Sequence, residues 1–156
     1  MAATPAIAAL EAAGVEFTIT EYEVPDGAKA YGEVVVERLG LDPLAVGKSL
    51  VVMLDGDPVV AVVPVAGSLD LKALARAGGA KRATMADHAD AERWTGSVVG
   101  GIAPLGHRTR LPLFIDELLS VADAIHVSGG RRGLELTLAP SSLVAVCDAV
   151  VAPISR

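Results

Sequence analysis

Asparagine and glutamine are both missing from this chain of 156 residues. Without them there is no carboxamide to stabilise an oxyanion and no side chain for the bidentate reading of adenine. Cysteine occurs once, at Cys147, which excludes an internal disulfide and fits a reducing, cytoplasmic setting. Aromatic residues make up 3% of the chain against 52% hydrophobic residues, so the core must be built from Val, Ala, Leu and Ile. No apolar run reaches the length of a membrane span, because Lys48, Asp55 and Asp57 interrupt the longest stretches. The first ten residues hold Pro5 and no basic stretch, so they do not read as a signal peptide. The expectation is one soluble cytoplasmic domain, large enough to bury a core of its own.

A net charge of −6 argues against a nucleic-acid partner, since phosphate contacts need cations. The distribution weakens that objection. Residues 1–60 carry three basic and ten acidic side chains, whereas residues 71–132 carry nine basic and six acidic ones. A basic face on an acidic protein is compatible with this pattern, as is an ordinary solvated surface.

Local signals place the elements. Thr4-Pro5 opens a helix that Gly14 stops, and residues 17–23 alternate as a half-buried strand does. Tyr31–Leu39 reads as a helix capped by Gly40. Ser49–Leu54 and Val59–Val63 are β-branched runs around Asp55-Gly56-Asp57-Pro58, a hairpin signal. Asp70–Ala77 and Ala86–Trp94 read as helices, and 113–115, 124–127 and 134–138 as strands. Pro140–Asp148 is a helix with an N-terminal proline, and Val150–Val151 an edge strand. Hairpins with interspersed helices predict an α/β domain of the α+β type, with a mixed curved sheet and not a doubly wound parallel one.

Conventional chemistry finds little support. His88, His107 and His126 have no metal-ligand spacing, and His126 alternates into a strand where a structural role suffices. Cys147 lies in an apolar helix, the setting of an inert thiol. There is no GxSxG elbow, and Gly96–Gly101 is neither a Walker nor a Rossmann loop. Asp55/Asp57 and Asp87/Asp90 sit in turn or helix-surface contexts. Two features remain. Lys48 stands at the entrance of an apolar strand, where an ammonium needs solvent or an anionic ligand. Gly100-Gly101-Ile102-Ala103-Pro104-Leu105-Gly106 is a loop able to approach a ligand closely with main-chain donors. Ser128-Gly129-Gly130 is a second loop of this kind.

Thr4-Pro5-Ala6, Gly47-Lys48-Ser49-Leu50, Pro64-Val65-Ala66-Gly67 with Leu69-Asp70-Leu71-Lys72, Gly100–Gly106, Arg110-Leu111-Pro112 and Val127–Leu134 occur in that order. Together they resemble the YbaK family of aminoacyl-tRNA deacylases, related to the editing domain inserted in bacterial prolyl-tRNA synthetases. The resemblance runs nearly end to end and implies a single editing domain over 1–156, a strongly curved mixed β-sheet with flanking helices. It implies hydrolysis, in trans, of the ester joining a wrong amino acid to tRNA, with cysteine on tRNA(Pro) as the leading substrate. In cysteine-clearing members the substrate's own thiol attacks, so neither a protein nucleophile, a cofactor nor a metal is expected. The implied partners are the tRNA acceptor end and a prolyl-tRNA synthetase. The family's lysine falls on Lys48, expected to engage the terminal adenosine or orient the ester. The loop residues Gly100, Ile102, Ala103 and Pro104 would bring N–H groups near the carbonyl, with Gly101 leaving room for substrate. Tyr22, Tyr31, Ser49, Ser128 and Glu135 fall on pocket positions. Three positions depart from the commoner pattern: Ser49 for threonine, Ala103 for serine and Glu135 for aspartate. Two further readings stay open at this point. One is clearance of another small amino acid, such as alanine, by water attack; the other is a non-catalytic module that binds tRNA, a synthetase or a small anion.

Overall fold

The first helix shows how closely the local rules are followed. In the computed structural model, which describes residues 3–156, Thr4 caps α1 (Pro5–Ala13) by accepting the Ile7 amide at 3.2 Å. Gly14 closes that helix with φ 68°, and Gly40 closes α2 (Tyr31–Leu39) with φ 62°. Of the ten residues judged against a signal peptide, Met1 and Ala2 lie outside the described ones. Between the helices runs β1 (Phe17–Glu21).

The hairpin of β2 (Gly47–Leu54) and β3 (Asp57–Pro64) is tighter than its sequence suggests. Its turn is Asp55-Gly56, at φ 49° and 89°, the two-residue geometry that matches strand twist, and Pro58 already lies within β3. Asp55 tolerates that backbone with its carboxylate accepting the Lys81 and Arg82 amides at 3.0 and 2.9 Å. Its role is structural. Asp70 caps α3 (Leu71–Ala77), followed by β4 (Ala83–Met85), α4 (His88–Thr95) and β5 (Leu113–Asp116). The chain ends with α5 (Glu117–Ser120), β6 (Ile125–Ser128), β7 (Leu134–Leu138), α6 (Pro140–Cys147) and β8 (Val150–Ala152). The sequence does not announce β4 or α5, since three and four residues are too few to show a period.

The expected mixed sheet is divided in two. Five strands run in the order β4-β2-β3-β5-β8, antiparallel on the β4 side and parallel from β3 to β8. Three antiparallel strands, β1-β7-β6, form the second sheet. Among the described residues one isolated bridge, between Val46 and His126, links them, with His126 N–H donating to the Ala45 carbonyl at 2.9 Å. One face of the larger sheet, including Val51, Val60, Val62 and Ile115, packs with Val127, Leu134 and Leu136 of the smaller sheet and with Leu10 of α1. The other face, including Val52, Leu54, Ala61 and Val63, packs with Leu74 of α3, Phe114 and Ile154. Burial on both faces explains why β2 and β3 read as near-continuous apolar runs without polar alternation. Among the described residues no helix is long and apolar enough to cross a membrane.

Candidate active site

The site lies where β2 is least covered. β4 pairs only with Val52–Leu54, and β6 bridges the chain at Val46, just before β2, so the stretch from Lys48 to Leu50 has no strand paired to it on that side and borders a gap between the two sheets. A cavity of about 340 Å³ occupies that gap. Lys48 is not before the strand, as its position in the sequence implies, but inside it, opposite Val63. Ser49 beside it has a buried Oγ with no hydrogen-bond partner, an arrangement that costs on the order of 1–3 kcal/mol unless a ligand or water answers it.

The smaller sheet supplies the opposite wall. Ser128 and Glu135 are cross-strand neighbours on β6 and β7 and share one face. Glu135 is 4% exposed, and burial raises its carboxyl to about 8, so it holds its proton at neutral pH. Tyr22 is raised to about 12, first by burial and then by the nearby Glu135 charge. Tyr31, at the start of α2, closes the side. Lys48 has no carboxylate within 4 Å; the ion pairs among the described residues are Arg93–Asp90 and Arg131–Glu21.

Of the residues singled out from the sequence, Tyr22, Tyr31, Lys48, Ser49, Gly100, Ile102, Ser128 and Glu135 all line this cavity. Gly101, Ala103 and Pro104 do not, and the reason is geometric. Gly100, at φ 92°, passes beneath the Tyr31 ring, after which Gly101–Leu105 turn into the core. The Gly101 N–H is already bound to the Val98 carbonyl at 2.9 Å. A Cβ on Gly101 would meet Arg132 N at 2.6 Å and Arg131 C at 2.8 Å, so this glycine makes room for backbone and not for substrate. Gly106 is likewise pressed on α1, 2.5 Å from the Ala6 nitrogen to where its Cβ would lie. Gly101→Ala is therefore expected to destabilise the fold by about 1–3 kcal/mol, seen as a lower urea midpoint at constant slope.

Other lining residues are not marked as pocket positions by the sequence. Lys29 and His88 are exposed at the cavity, and Val65 reaches it beneath Gly32, where a Cβ would lie 2.7 Å from Val65 Cγ2. Neither serine is coupled to a histidine: Ser128 Oγ accepts from Gly130 N–H at 3.2 Å and Ser49 Oγ has no partner. His126 bonds Thr137 Oγ1 at 2.7 Å, and His107 bonds the Ala103 carbonyl at 2.6 Å. Cys147 lies outside the cavity with its thiol raised by burial to about 11, hence unreactive at neutral pH. No group of three His, Cys, Asp or Glu side chains among the described residues is placed to hold a metal. The arrangement offers a cation, a protonated buried carboxyl and hydroxyls around a cavity open to solvent on one side, and it lacks an activated serine or cysteine.

Such a cavity suits binding and orienting an ester. The sequence pattern of the aminoacyl-tRNA editing domain matches residues 25–146. The chain belongs to that family and is an aminoacyl-tRNA deacylase. A relative from Enterococcus faecalis, provisionally named the Cys-tRNA(Pro)/Cys-tRNA(Cys) deacylase EbsC, is 37% identical over 124 residues, 79% of this chain and 76% of its own. A crystal structure described provisionally as a trans-editing enzyme for prolyl-tRNA synthetase superimposes with TM-score 0.82 at 25% identity, covering 100% of this chain and 99% of that one. Another, of a hypothetical protein, gives TM-score 0.85 at 24% identity over 94% and 96% of the two chains, a likeness of fold.

Proposed function

We propose that this protein is a Cys-tRNA(Pro) deacylase acting in trans in the cytoplasm, with residues 1–156 forming one editing domain. The observation that carries the proposal is a cavity holding Lys48 and the unpartnered Ser49 hydroxyl, with no side-chain nucleophile coupled to a base. The substrate then supplies the attack. Its thiolate sulfur bonds to the ester carbonyl carbon, the carbon–oxygen bond to the terminal ribose breaks, and the ribose oxygen takes a proton. The resulting cysteine thiolactone is hydrolysed by water. Lys48 positions the ester or the terminal adenosine, and Ser49, Ser128, Tyr22, Tyr31 and Glu135 shape the space around the amino acid. The relative's name and the match to a prolyl-tRNA synthetase trans-editing structure support tRNA(Pro) as carrier and that synthetase as partner.

A second reading has its own support. With its carboxyl raised to about 8, Glu135 keeps a minor ionised fraction near neutral pH that is a stronger base than an ordinary carboxylate, and in that form it suits activation of water on an alanyl or seryl ester. Hydrolysis of Cys-, Ala- and Ser-tRNA(Pro) distinguishes the two. Thiol attack predicts a rate on the cysteinyl ester more than about tenfold above the seryl one, because a hydroxyl of similar size is a far poorer nucleophile. Comparable rates on all three would transfer the attack to water. Binding without ester loss on any charged tRNA would leave a non-catalytic module.

A further inference from the structure

Arg132 is an exposed side chain held in place from several directions. Its Nε and Nη2 donate to the Val99 carbonyl at 2.9 and 2.6 Å. Its guanidinium lies over the Tyr31 ring, 4.4 Å from the centroid. That ring rests on Gly100, and the Arg132 backbone is packed against Gly101. Tyr31, Val99 and Gly100 line the cavity, so Arg132 stands at its rim, bound to the wall but outside it.

Two of the five guanidinium N–H donors are used in this way, and the other three make no hydrogen bond among the described residues. Its neighbour Arg131 is paired with Glu21 at 3.1 Å, whereas Arg132 has no carboxylate within 4 Å. An arginine already fixed by stacking and hydrogen bonds loses little further freedom on binding, and its planar donors fit the oxygens of a phosphodiester. An ester that enters the cavity is carried by a ribose, and the charged phosphodiester of that nucleotide is favoured at the solvent-facing rim over the largely apolar interior. A fixed, uncompensated cation with free donors therefore stands where that phosphate is expected.

We propose that Arg132 binds the phosphodiester preceding the esterified terminal nucleoside, so that the site takes its substrate as nucleic acid and not as a free amino-acid ester. This rests on the deacylase reading above. The test compares wild type, Arg132→Met and Arg132→Lys on Cys-tRNA(Pro) and on cysteinyl-adenosine, which has the same ester without the phosphate. Arg132→Met is expected to raise KM for the tRNA about tenfold, with a salt slope shallower by about one, and to affect the nucleoside ester far less. Arg132→Lys should recover part of the salt slope, keeping the charge without the planar fork. Equal losses on both esters would reduce Arg132 to a strut for Tyr31 and overturn the proposal, as would an unchanged KM and slope for tRNA. Should wild type cleave neither ester, the deacylase reading fails, and binding of an uncharged RNA trinucleotide beside the free nucleoside still decides the phosphate contact. There, weaker trinucleotide binding by Arg132→Met supports it, and equal binding refutes it.

Discussion

Lys48→Ala is expected to lower kcat/KM for Cys-tRNA(Pro) hydrolysis by about 10²-fold or more, the size typical of losing a preorganised electrostatic contact. Its stability should change little. Lys48 is a charged residue in β2, half-buried, without a carboxylate partner and paired across the hairpin with Val63. A lysine there contributes nothing to folding through an ion pair, and removing it leaves no partner stranded. What it can contribute is a positive charge beside the cavity, felt by a nucleotide or a developing oxyanion. Lys48→Met keeps most of the apolar stem and serves as the control for packing. The measurement is single-turnover ester loss together with thermal unfolding. If both variants retain activity within a few-fold, Lys48 is a snorkelling surface residue and the site is wrongly centred. If activity and Tm fall together in Ala but not in Met, the stem was the important part.

The second large effect lies in the pH dependence of Glu135. Burial holds its carboxyl at about 8 in the folded state, whereas in the unfolded chain it returns to the ordinary carboxylate range. Between those limits the native state binds the extra proton, so stability declines as pH rises. The decline begins above the ordinary carboxylate range and ends near pH 8, beyond which the buried charge is a constant burden. Replacing the acid by its neutral isostere removes that burden. Glu135→Gln should match wild type near pH 4 to 5 and exceed it increasingly toward pH 8.5, by several degrees at about 2–4 °C per kcal/mol. Thermal unfolding across that range checks it, and parallel curves for the two proteins would refute the buried, protonated carboxyl. The same variant separates catalysis from stability: water activation by Glu135 predicts lost hydrolysis of alanyl esters, whereas thiol attack predicts that cysteinyl hydrolysis depends on it less.

Much of the fold is legible from neighbouring residues. Thr4-Pro5 with Gly14, Asp70 before α3, Gly40 after α2 and Pro140 opening α6 each act within one or two helical turns of themselves. The β2–β3 hairpin is equally local, although the Asp55 carboxylate at its turn also accepts the Lys81 and Arg82 amides, which lie 26 and 27 residues away. The hidden elements are the short ones. β4 exists because β2 offers an edge at Val52–Leu54, and α5 because Asp116 caps it, accepting from Leu118 N–H at 3.1 Å. The division into two sheets is also invisible, since it depends on where β6 meets the chain at Val46 and then departs from it.

Lys48 and the glycine-rich loop could be singled out by sequence, and the structure assigns them different standing. Eight of the residues picked out around them share one cavity. What the sequence by itself determined was which side chains could do chemistry: it has no carboxamides, one thiol, and one lysine entering a core strand. Those are matters of residue type and local pattern, independent of distant partners. Only the tertiary structure decided that Gly101 and Gly106 serve backbone packing, that Ser49 has a hydroxyl left without a partner, and that Arg132 is fixed over Tyr31 at the rim. Each of these depends on segments tens of residues apart meeting within a few ångströms. A glycine reads the same in sequence whether a ligand or another stretch of main chain fills the space left by its missing Cβ.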